Sequence, residues 1–263
     1  MTTTIQNVIQ TILSTVPGAP LKGTVDTFKT GDPSQEVTGI VTTFLANREV
    51  IEKANALGAN LIITHEPIFY NHRDRTGWLR RDDVYKSKRK YIDENNIVIW
   101  RFHDHWHMHR PDGITVGFLK ELGWEGYADP ENENLCTIPP MTLSDIVVTL
   151  KDKFHIQMVR VAGNPDMLCR KVGLMLGAAP GKWQINLLSQ TDIDVLICGE
   201  SDEWETCEYI RDASFIGKAQ ALVIIGHANS EDWGMKWLVD WLRPKFPDLP
   251  ITHLPTRDPF RFM

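Results

Sequence analysis

Residues 36–64, EVTGIVTTFLANREVIEKANALGANLIIT, carry the pattern that decides the fold. β-Branched residues dominate 36–46 and predict a strand, and Asn47 can cap a helix over REVIEKANALG, which ends at Gly58. The apolar segment NLIIT, residues 60–64, then predicts a short buried strand. Together these elements predict a β-α-β unit, the repeating unit of parallel α/β sheets.

The same alternation of strands and helices continues along the chain. Further strands are predicted at NIVIWRF (96–102), DVLICG (194–199) and ALVIIG (221–226), and a helical pattern follows each of them. An acidic, proline-containing segment, YADPENENLCTIPP (127–140), separates the two halves of the chain. The sequence therefore predicts an α/β fold with largely parallel or mixed sheets, in two lobes of residues 1–125 and 126–263.

The composition indicates a globular protein and argues against a polyanionic partner. The 263 residues are 42% hydrophobic, whereas the net charge of −6 and the pI near 5.8 offer no overall basic surface for nucleic acid. The first twenty residues lack a basic start and an uninterrupted apolar run, and no later run approaches the roughly 18 apolar residues of a membrane span. The four cysteines are widely spaced. We therefore expect a cytoplasmic protein with no membrane partner, no disulfide framework and no thiolate zinc site.

Three predicted strands run directly into histidine and acidic residues. NLIIT is followed by His65 and Glu66, NIVIWRF by HDHWHMH (103–109), and ALVIIG by HANSE (227–231). Ligands of open α/β sheets bind outside the carboxyl ends of the strands, so three segments can deliver imidazoles and carboxylates to one crevice. Such a mixed set suits Zn, Mn, Fe or Co. The sequence therefore predicts a metal site assembled from distant segments.

The stretch 103–109 holds more histidines than one ion needs. In an extended chain one face would carry His103, His105, His107 and His109. An ion accepts about four to six ligands in total, and the other segments must contribute too. We expect one or two of these histidines as ligands, and the others as supporting groups, substrate contacts or surface residues.

The HANSE segment predicts that a carboxylate and a histidine of the same segment approach each other. If Asn229 or Ser230 caps the last helix, Glu231 lies in its first turn. The carboxylate can then approach His227, which stands at the end of the preceding strand. This pair is the expected contribution of the second half of the chain to the metal site.

Four segments together resemble a known family, the NIF-three-like proteins, also named GTP cyclohydrolase 1 type 2 homologues. The matching segments, in this order, are GANLIITHEPIFY, NIVIWRFHDHWH, DVLICGE and GHANSEDWGMKWL. The resemblance implies a dinuclear metal centre and assembly into a toroidal homohexamer. The segment between residues 126 and 170 leaves no room for the inserted middle domain of longer members. The resemblance therefore implies the compact form, in which two α/β lobes face each other across a metal-binding cleft.

The resemblance also implies roles for individual residues. His65, His103, His227 and Glu231 match the family's metal ligands. Glu66 stands where the family usually has a second histidine, and His107 stands where it usually has a bridging aspartate. Glu66 and His107 are therefore candidate metal ligands, each with a side chain of a different chemical type from the family's usual residue. Asp104 is the nearest carboxylate that could replace the bridging aspartate.

A metal site of this kind is typical of enzymes that catalyse hydrolysis. A divalent ion lowers the pKa of a water molecule that it binds from about 15.7 towards about 7. Asp104, if it is not a ligand, and Glu200, which follows DVLICG, are candidates to move the proton. Glu200 has an alternative role as an acidic residue at the start of the next helix. We expect one or two divalent ions per subunit and a nucleotide-like or other small substrate.

Two other functions are compatible with the sequence. One is a metal-binding or ligand-binding hexamer without catalysis, and the other is a structural oligomer whose site has degenerated at Glu66 and His107. A basic run between Arg80 and Lys90 could attract an anionic substrate, but acidic residues are mixed into it. That mixture favours a solvated helix face.

Overall fold

The computed structural model describes residues 3–261 and 263. In chain order the elements are α1 (Ile5–Leu13), β1 (Phe28–Thr30), β2 (Ile40–Thr43), α2 (Arg48–Ala56), β3 (Leu61–Thr64), α3 (Asp83–Glu94), β4 (Val98–Arg101), α4 (Asp104–Met108), α5 (Gly113–Leu122), β5 (Leu135–Thr142), α6 (Leu143–Phe154), β6 (Arg160–Ala162), β7 (Leu168–Met175), α7 (Gly181–Gln190), β8 (Val195–Cys198), α8 (Glu208–Phe215), β9 (Ala221–Ile224), α9 (His227–Leu242) and β10 (Ile251–His253). Short 3₁₀ helices lie at Gly77–Leu79 and Glu125–Tyr127, and a π-helical turn lies at Glu203–Cys207.

The chain divides into two compact units. One consists of Met1–Gly113 with Met235–Thr256, and the other consists of Ile114–Gly234 with Arg257–Met263. Each unit contains one five-stranded mixed sheet. The predicted α/β fold class is therefore confirmed.

The first unit contains the predicted β-α-β unit. Its sheet has the order β1-β4-β3-β2-β10, in which β1 is antiparallel to β4 and the other neighbours are parallel. The side chain of Asn47 accepts a hydrogen bond from the Val50 amide at 2.9 Å and caps α2, as predicted. Gly58 has φ +73°, the left-handed conformation expected where a helix ends. Local signals thus place these elements correctly.

Burial explains why the short strands of this unit are stable. Every residue of β2 and β3 is buried, and Val41 and Ile62 pack into one core with Ile51 of α2. Burying one such side chain stabilises a fold by about 1.5–3 kcal/mol. The apolar run NLIIT is therefore a central strand covered on both faces, which is typical of parallel sheets.

The second unit repeats the parallel arrangement with different edges. Its sheet has the order β5-β7-β8-β9-β6, in which β7, β8 and β9 are parallel and both edge strands are antiparallel. The carboxyl ends of the three parallel strands consequently share one edge of the sheet. Glycine-containing loops at Gly177, Gly199 and Gly226 follow these three strands.

No helix within residues 3–261 is long and apolar enough to cross a membrane. The predicted lobes of residues 1–125 and 126–263, and their arrangement about a metal cleft, stay predictions.

Candidate metal centre

The histidine stretch is helical rather than extended, and Asp26 is the reason. The buried carboxylate of Asp26 accepts hydrogen bonds from the amides of His103, Asp104 and His105 at 2.8, 3.1 and 2.8 Å. The backbone amides at the start of a helix have no hydrogen-bond acceptor within the helix, and Asp26 supplies one for these three. The extended arrangement considered from the sequence is therefore wrong, because a distant carboxylate caps α4.

The helical turn changes which histidines share a face. His103 and His107 are four residues apart and now lie side by side, with ring centroids 5.0 Å apart. His65, directly after β3, completes a triangle, since its ring centroid lies 4.6 Å from that of His103 and 5.0 Å from that of His107. The three residues each offer one ligand atom within 4.8 Å of the others. The structure therefore brings together three of the predicted metal ligands.

Each ring of this three-histidine group is oriented by an oxygen atom. Nδ1 lies 3.1 Å from the Phe102 carbonyl in His65, 2.9 Å from Asp104 Oδ1 in His103, and 2.8 Å from Asp112 Oδ2 in His107. A carbonyl or carboxylate oxygen only accepts, so Nδ1 carries the proton and Nε2 carries the lone pair in the neutral rings. Metal-binding histidines typically have such a partner on the other ring nitrogen.

The surroundings of His103 favour the neutral state that a metal ligand requires. Burial, together with the nearby His65 and His107 rings, lowers the pKa of His103 to about 3. At neutral pH this imidazole is therefore uncharged, and its lone pair is available without loss of a proton.

Asp104 holds His103 in place and is not part of the three-histidine group. Its Oδ1 accepts from His103, while its Oδ2 accepts from the Thr24 hydroxyl at 2.8 Å and the Val25 amide at 3.2 Å. Burial acts to raise the pKa of Asp104, but these hydrogen bonds outweigh it and lower the pKa to about 2. The carboxylate is thus ionised and engaged through both oxygens.

The other two histidines of the stretch make different contacts. Buried His105 contacts Asp26 through Nδ1 at 2.6 Å and accepts from the Leu21 amide through Nε2 at 3.1 Å. Nδ1 of half-buried His109 contacts the Pro111 carbonyl at 3.0 Å. His105 is therefore a structural residue. The expectation that one or two of the four histidines are metal ligands stays a prediction.

Glu66 lies beside the three-histidine group and is paired with a buried arginine. Glu66 Oε1 is 3.6 Å from Nε2 of His103, and Oε2 is 3.1 Å from Arg101 Nη2. Arg101 is fully buried and also donates to the His65 carbonyl at 2.9 Å. A buried guanidinium needs such partners, so Arg101 links the backbone of His65 to the carboxylate of Glu66.

The second unit brings together His227, Glu231 and Glu200. Nε2 of His227 lies 3.0 Å from Glu231 Oε2, and Nδ1 lies 3.0 Å from Glu200 Oε1. The hydrogen bond from His227 lowers the pKa of Glu200, although burial acts in the opposite direction. The predicted pair and one predicted proton-transfer residue are thus in direct contact.

The helical capping suggested for Asn229 and Ser230 is wrong, because α9 already begins at His227. His227 and Glu231 instead lie one helical turn apart on the same face. The Ser230 hydroxyl donates to the His227 carbonyl at 2.8 Å and accepts from the Gly177 amide at 2.9 Å. Ser230 therefore joins the loop after β7 to the first turn of α9.

The sequence provided no direct signal for several residues that shape these groups. Asp26 and Asp112 lie outside the predicted motifs, and Arg101 lies in one motif but contacts residues of another, so motif spacing could not reveal their roles. The sequence signal for Gly177 was weak, namely a glycine that follows the apolar residues 174–176. A Cβ atom at this position would lie 2.2 Å from Glu231 Oε1. Glycine therefore allows the carboxylate to approach the backbone of that loop.

A separate cavity of about 740 Å³ lies in the second unit between β6 and α8. Its lining includes Arg160, Cys207 and Lys218. None of the predicted site residues contributes to this lining.

A family model matches most of the chain. Residues 23–259 match the model described as Duf34/NIF3 (NGG1p interacting factor 3). Curated relatives named GTP cyclohydrolase 1 type 2 homolog occur in Clostridium perfringens and Chlamydia muridarum. The first is 23% identical and aligns over 76% of both chains, and the second is 25% identical and aligns over 88% of both chains.

Solved structures agree in fold. A hypothetical protein of Staphylococcus aureus is 17% identical and superposes with a TM-score of 0.80 over 100% of both chains. A Bacillus cereus protein related to NIF3 is also 17% identical and gives a TM-score of 0.79, over 100% of this chain and 99% of the other. At this level of identity the superpositions establish the fold alone.

Proposed function

The chain belongs to the Duf34/NIF3 family, and on that premise we propose that it is a metal-dependent hydrolase acting on a nucleotide-like or other small substrate. The observation that carries this proposal is the convergence of His65, His103 and His107, each with an oxygen acceptor at Nδ1. Divalent ions bind neutral imidazoles, and such partners orient the rings for binding.

The donor set fits one or two divalent ions per subunit, with Zn, Mn, Fe and Co all compatible with imidazole and carboxylate ligands. In this proposal the three-histidine group holds one ion, and His227 and Glu231 complete a dinuclear centre. Glu66 is a further oxygen donor, which its ion pair with Arg101 keeps in position. A bound divalent ion would supply Lewis acidity, which polarises a substrate oxygen and acidifies water.

The two candidate proton-transfer residues differ in their surroundings. Asp104 uses both oxygens in hydrogen bonds to His103, Thr24 and Val25, so it orients His103. Glu200 contacts His227 through one oxygen, and its side chain is 58% exposed. We therefore assign proton transfer to Glu200 and a positioning role to Asp104.

The relatives' names favour a purine nucleotide within the proposed substrate class. Release of a ring carbon from GTP is a hydrolytic reaction, which is the chemistry that a Lewis-acidic centre promotes. We also propose a homohexamer, which sedimentation velocity of the untagged protein would test by its mass.

One observation favours a second candidate function, a metal-binding or ligand-binding hexamer without turnover. Both predicted proton-transfer carboxylates form hydrogen bonds to histidines of the proposed centre. Carboxylates in such positions commonly orient metal ligands and do not transfer protons. This alternative predicts stable metal binding and ligand affinity, but no product.

The deciding experiment measures metal content per protomer by inductively coupled plasma mass spectrometry. The protein is purified without added metal or an affinity tag, beside His65→Ala, His227→Ala and the control His155→Asn, which changes a histidine outside the proposed centre. About two ions per wild-type protomer, reduced in both alanine variants and retained in the control, would support a shared dinuclear centre. An absence of metal even after reloading would contradict the proposal.

A nucleotide panel then separates the two candidate functions. A hydrolase should release product from at least one nucleotide, lose this activity with a chelator and regain it when metal is returned. Glu200→Gln should reduce turnover while it retains the metal. Metal occupancy without any metal-dependent product would favour the non-catalytic function.

A further inference from the structure

The loop after β3 lies against the three-histidine group. The ring centroid of His72 is 6.1 Å from that of His103, with the rings nearly perpendicular. His72 begins the short segment HRDR, residues 72–75, which carries arginines at positions 73 and 75. We call residues 72–75 the phosphate arm. The arm therefore lies next to the proposed metal centre.

Arg101 connects this arm to the histidine group. Its Nη1 donates to the His72 carbonyl, while Nε donates to the His65 carbonyl at 2.9 Å. Nη2 of the same guanidinium contacts Glu66. Because Arg101 is fully buried, one rigid group positions both the arm and two residues of the proposed centre.

Hydrogen bonds within the loop maintain its conformation. The side chain of Asn71 accepts from the Arg75 amide and donates to the Arg75 carbonyl, both at 2.9 Å. Asp74 accepts from the Phe69 amide at 2.8 Å and forms a 3.3 Å ion pair with Lys29. The loop is thus held by the backbone of Arg75 and by other side chains, so its conformation does not depend on the guanidinium of Arg75.

The two arginine side chains of the arm have no acidic partner in the part of the chain that the structure describes. Both residues are exposed. By contrast, the basic residues of α3 are largely paired, including Lys86 with Asp83 and Arg89 with Asp93. The arm therefore presents uncompensated positive charge beside the histidine group, in a protein whose net charge is −6.

We propose that Arg73 and Arg75 bind the phosphate group of a substrate while the reacting part of that substrate lies at the metal centre. This inference rests on the proposed function and narrows the substrate class to small phosphate-bearing molecules. Guanidinium groups suit this role because their planar donors bind phosphate oxygens in pairs. A rigid loop adds to the affinity for phosphate, because little conformational entropy of the loop is lost when the ligand binds.

The test is a calorimetric titration with inorganic phosphate at constant ionic strength. It uses the full chain, both as purified and after metal loading, and metal content is measured on the same samples. Wild type should bind phosphate, and R73Q/R75Q should bind it at least roughly tenfold more weakly, since each lost charge-assisted contact is worth about this factor. R73K/R75K should fall between them, because lysine retains the charge without the paired donors.

R243Q is the matched control, because Arg243 is an exposed arginine whose ion pair with Asp240 lies on the surface. It should bind phosphate as wild type does. Equal affinity in wild type and R73Q/R75Q, or no binding by wild type in either form, would overturn the phosphate arm. Metal loss in R73Q/R75Q would also overturn it, since the arginines would then support the centre itself. If wild type holds no metal, the proposed function fails, and the as-purified titration still tests the arm.

Discussion

The carboxylate of Asp26 accepts two hydrogen bonds from His105, one from the amide at 2.8 Å and one from Nδ1 at 2.6 Å. The two residues are 79 positions apart in the chain. With its bonds to the amides of His103 and Asp104, the same carboxylate determines that α4 is a helix. The geometry of the three-histidine group therefore depends on a residue that is not itself a candidate ligand.

Replacing Asp26 by alanine should destabilise the protein and weaken metal binding. The change leaves buried donors without their acceptor, for which a loss of about 2–4 kcal/mol in the free energy of unfolding is expected. Urea denaturation and metal analysis measure the two effects. Asp32→Ala, which removes an exposed carboxylate bound to Ser34, is the control and should change little. Full metal occupancy in folded Asp26→Ala would disprove the positioning role.

Replacing Asp104 by alanine should reduce metal affinity without abolishing binding. His103 would lose the acceptor that orients its ring, and loss of such a partner typically costs about 10–100-fold in metal affinity. Competition with a chromophoric chelator measures this change. Asp83→Ala, at an exposed position on α3, provides the reference. If Asp104→Ala loses all metal, as His103→Ala should, Asp104 would have to be a ligand itself.

The buried ammonium of Lys88 should make stability depend on pH. Burial lowers the pKa of Lys88 from 10.5 to about 8, and the nearby Asp74 only partly opposes this shift. Between pH 8 and 10.5 the unfolded chain therefore holds more protons than the folded protein, so the free energy of unfolding rises with pH in this window. Below pH 8 the full cost of burying the charge remains.

Lys88→Met isolates this contribution. The stability of wild type relative to this variant should increase by about 1–3 kcal/mol from pH 8 to pH 10.5, as measured by chemical denaturation. Lys86→Met, at an exposed position on the same helix, serves as the reference. A difference between wild type and Lys88→Met that stays constant with pH would contradict the lowered pKa.

Gly177→Ala should displace Glu231, because the added Cβ would lie 2.2 Å from its Oε1. Gly58→Ala is a matched control, since both glycines have φ +73°. Apart from its chain neighbours, no described residue places a heavy atom within 4 Å of the corresponding position at Gly58. Both variants should lose about 1 kcal/mol from the strained backbone. Only Gly177→Ala should also lose metal affinity, measured by chelator competition, and equal affinities in the two variants would count against the contribution of Glu231.

The sequence by itself determined the elements of the fold and the segments that carry candidate ligands. Strand and helix patterns are local, so the β-α-β unit with its cap at Asn47 could be predicted from neighbouring residues. The positions of His65 and His227 after strand ends, and of Glu231 in the first turn of the last helix, followed from the same local patterns. Those residues already predicted a metal site, and the resemblance to a family added the expectation that the centre is dinuclear.

Only the tertiary structure decided how those side chains are used. The carboxylate of Asp26 made α4 helical, and the Phe102 carbonyl placed the proton of His65 on Nδ1. Asp104 was engaged as the acceptor of hydrogen bonds from Thr24 and Val25. A buried arginine from β4 was likewise paired with Glu66. Such contacts form only when the chain is folded, because each requires two segments that are far apart in sequence to meet within hydrogen-bond distance.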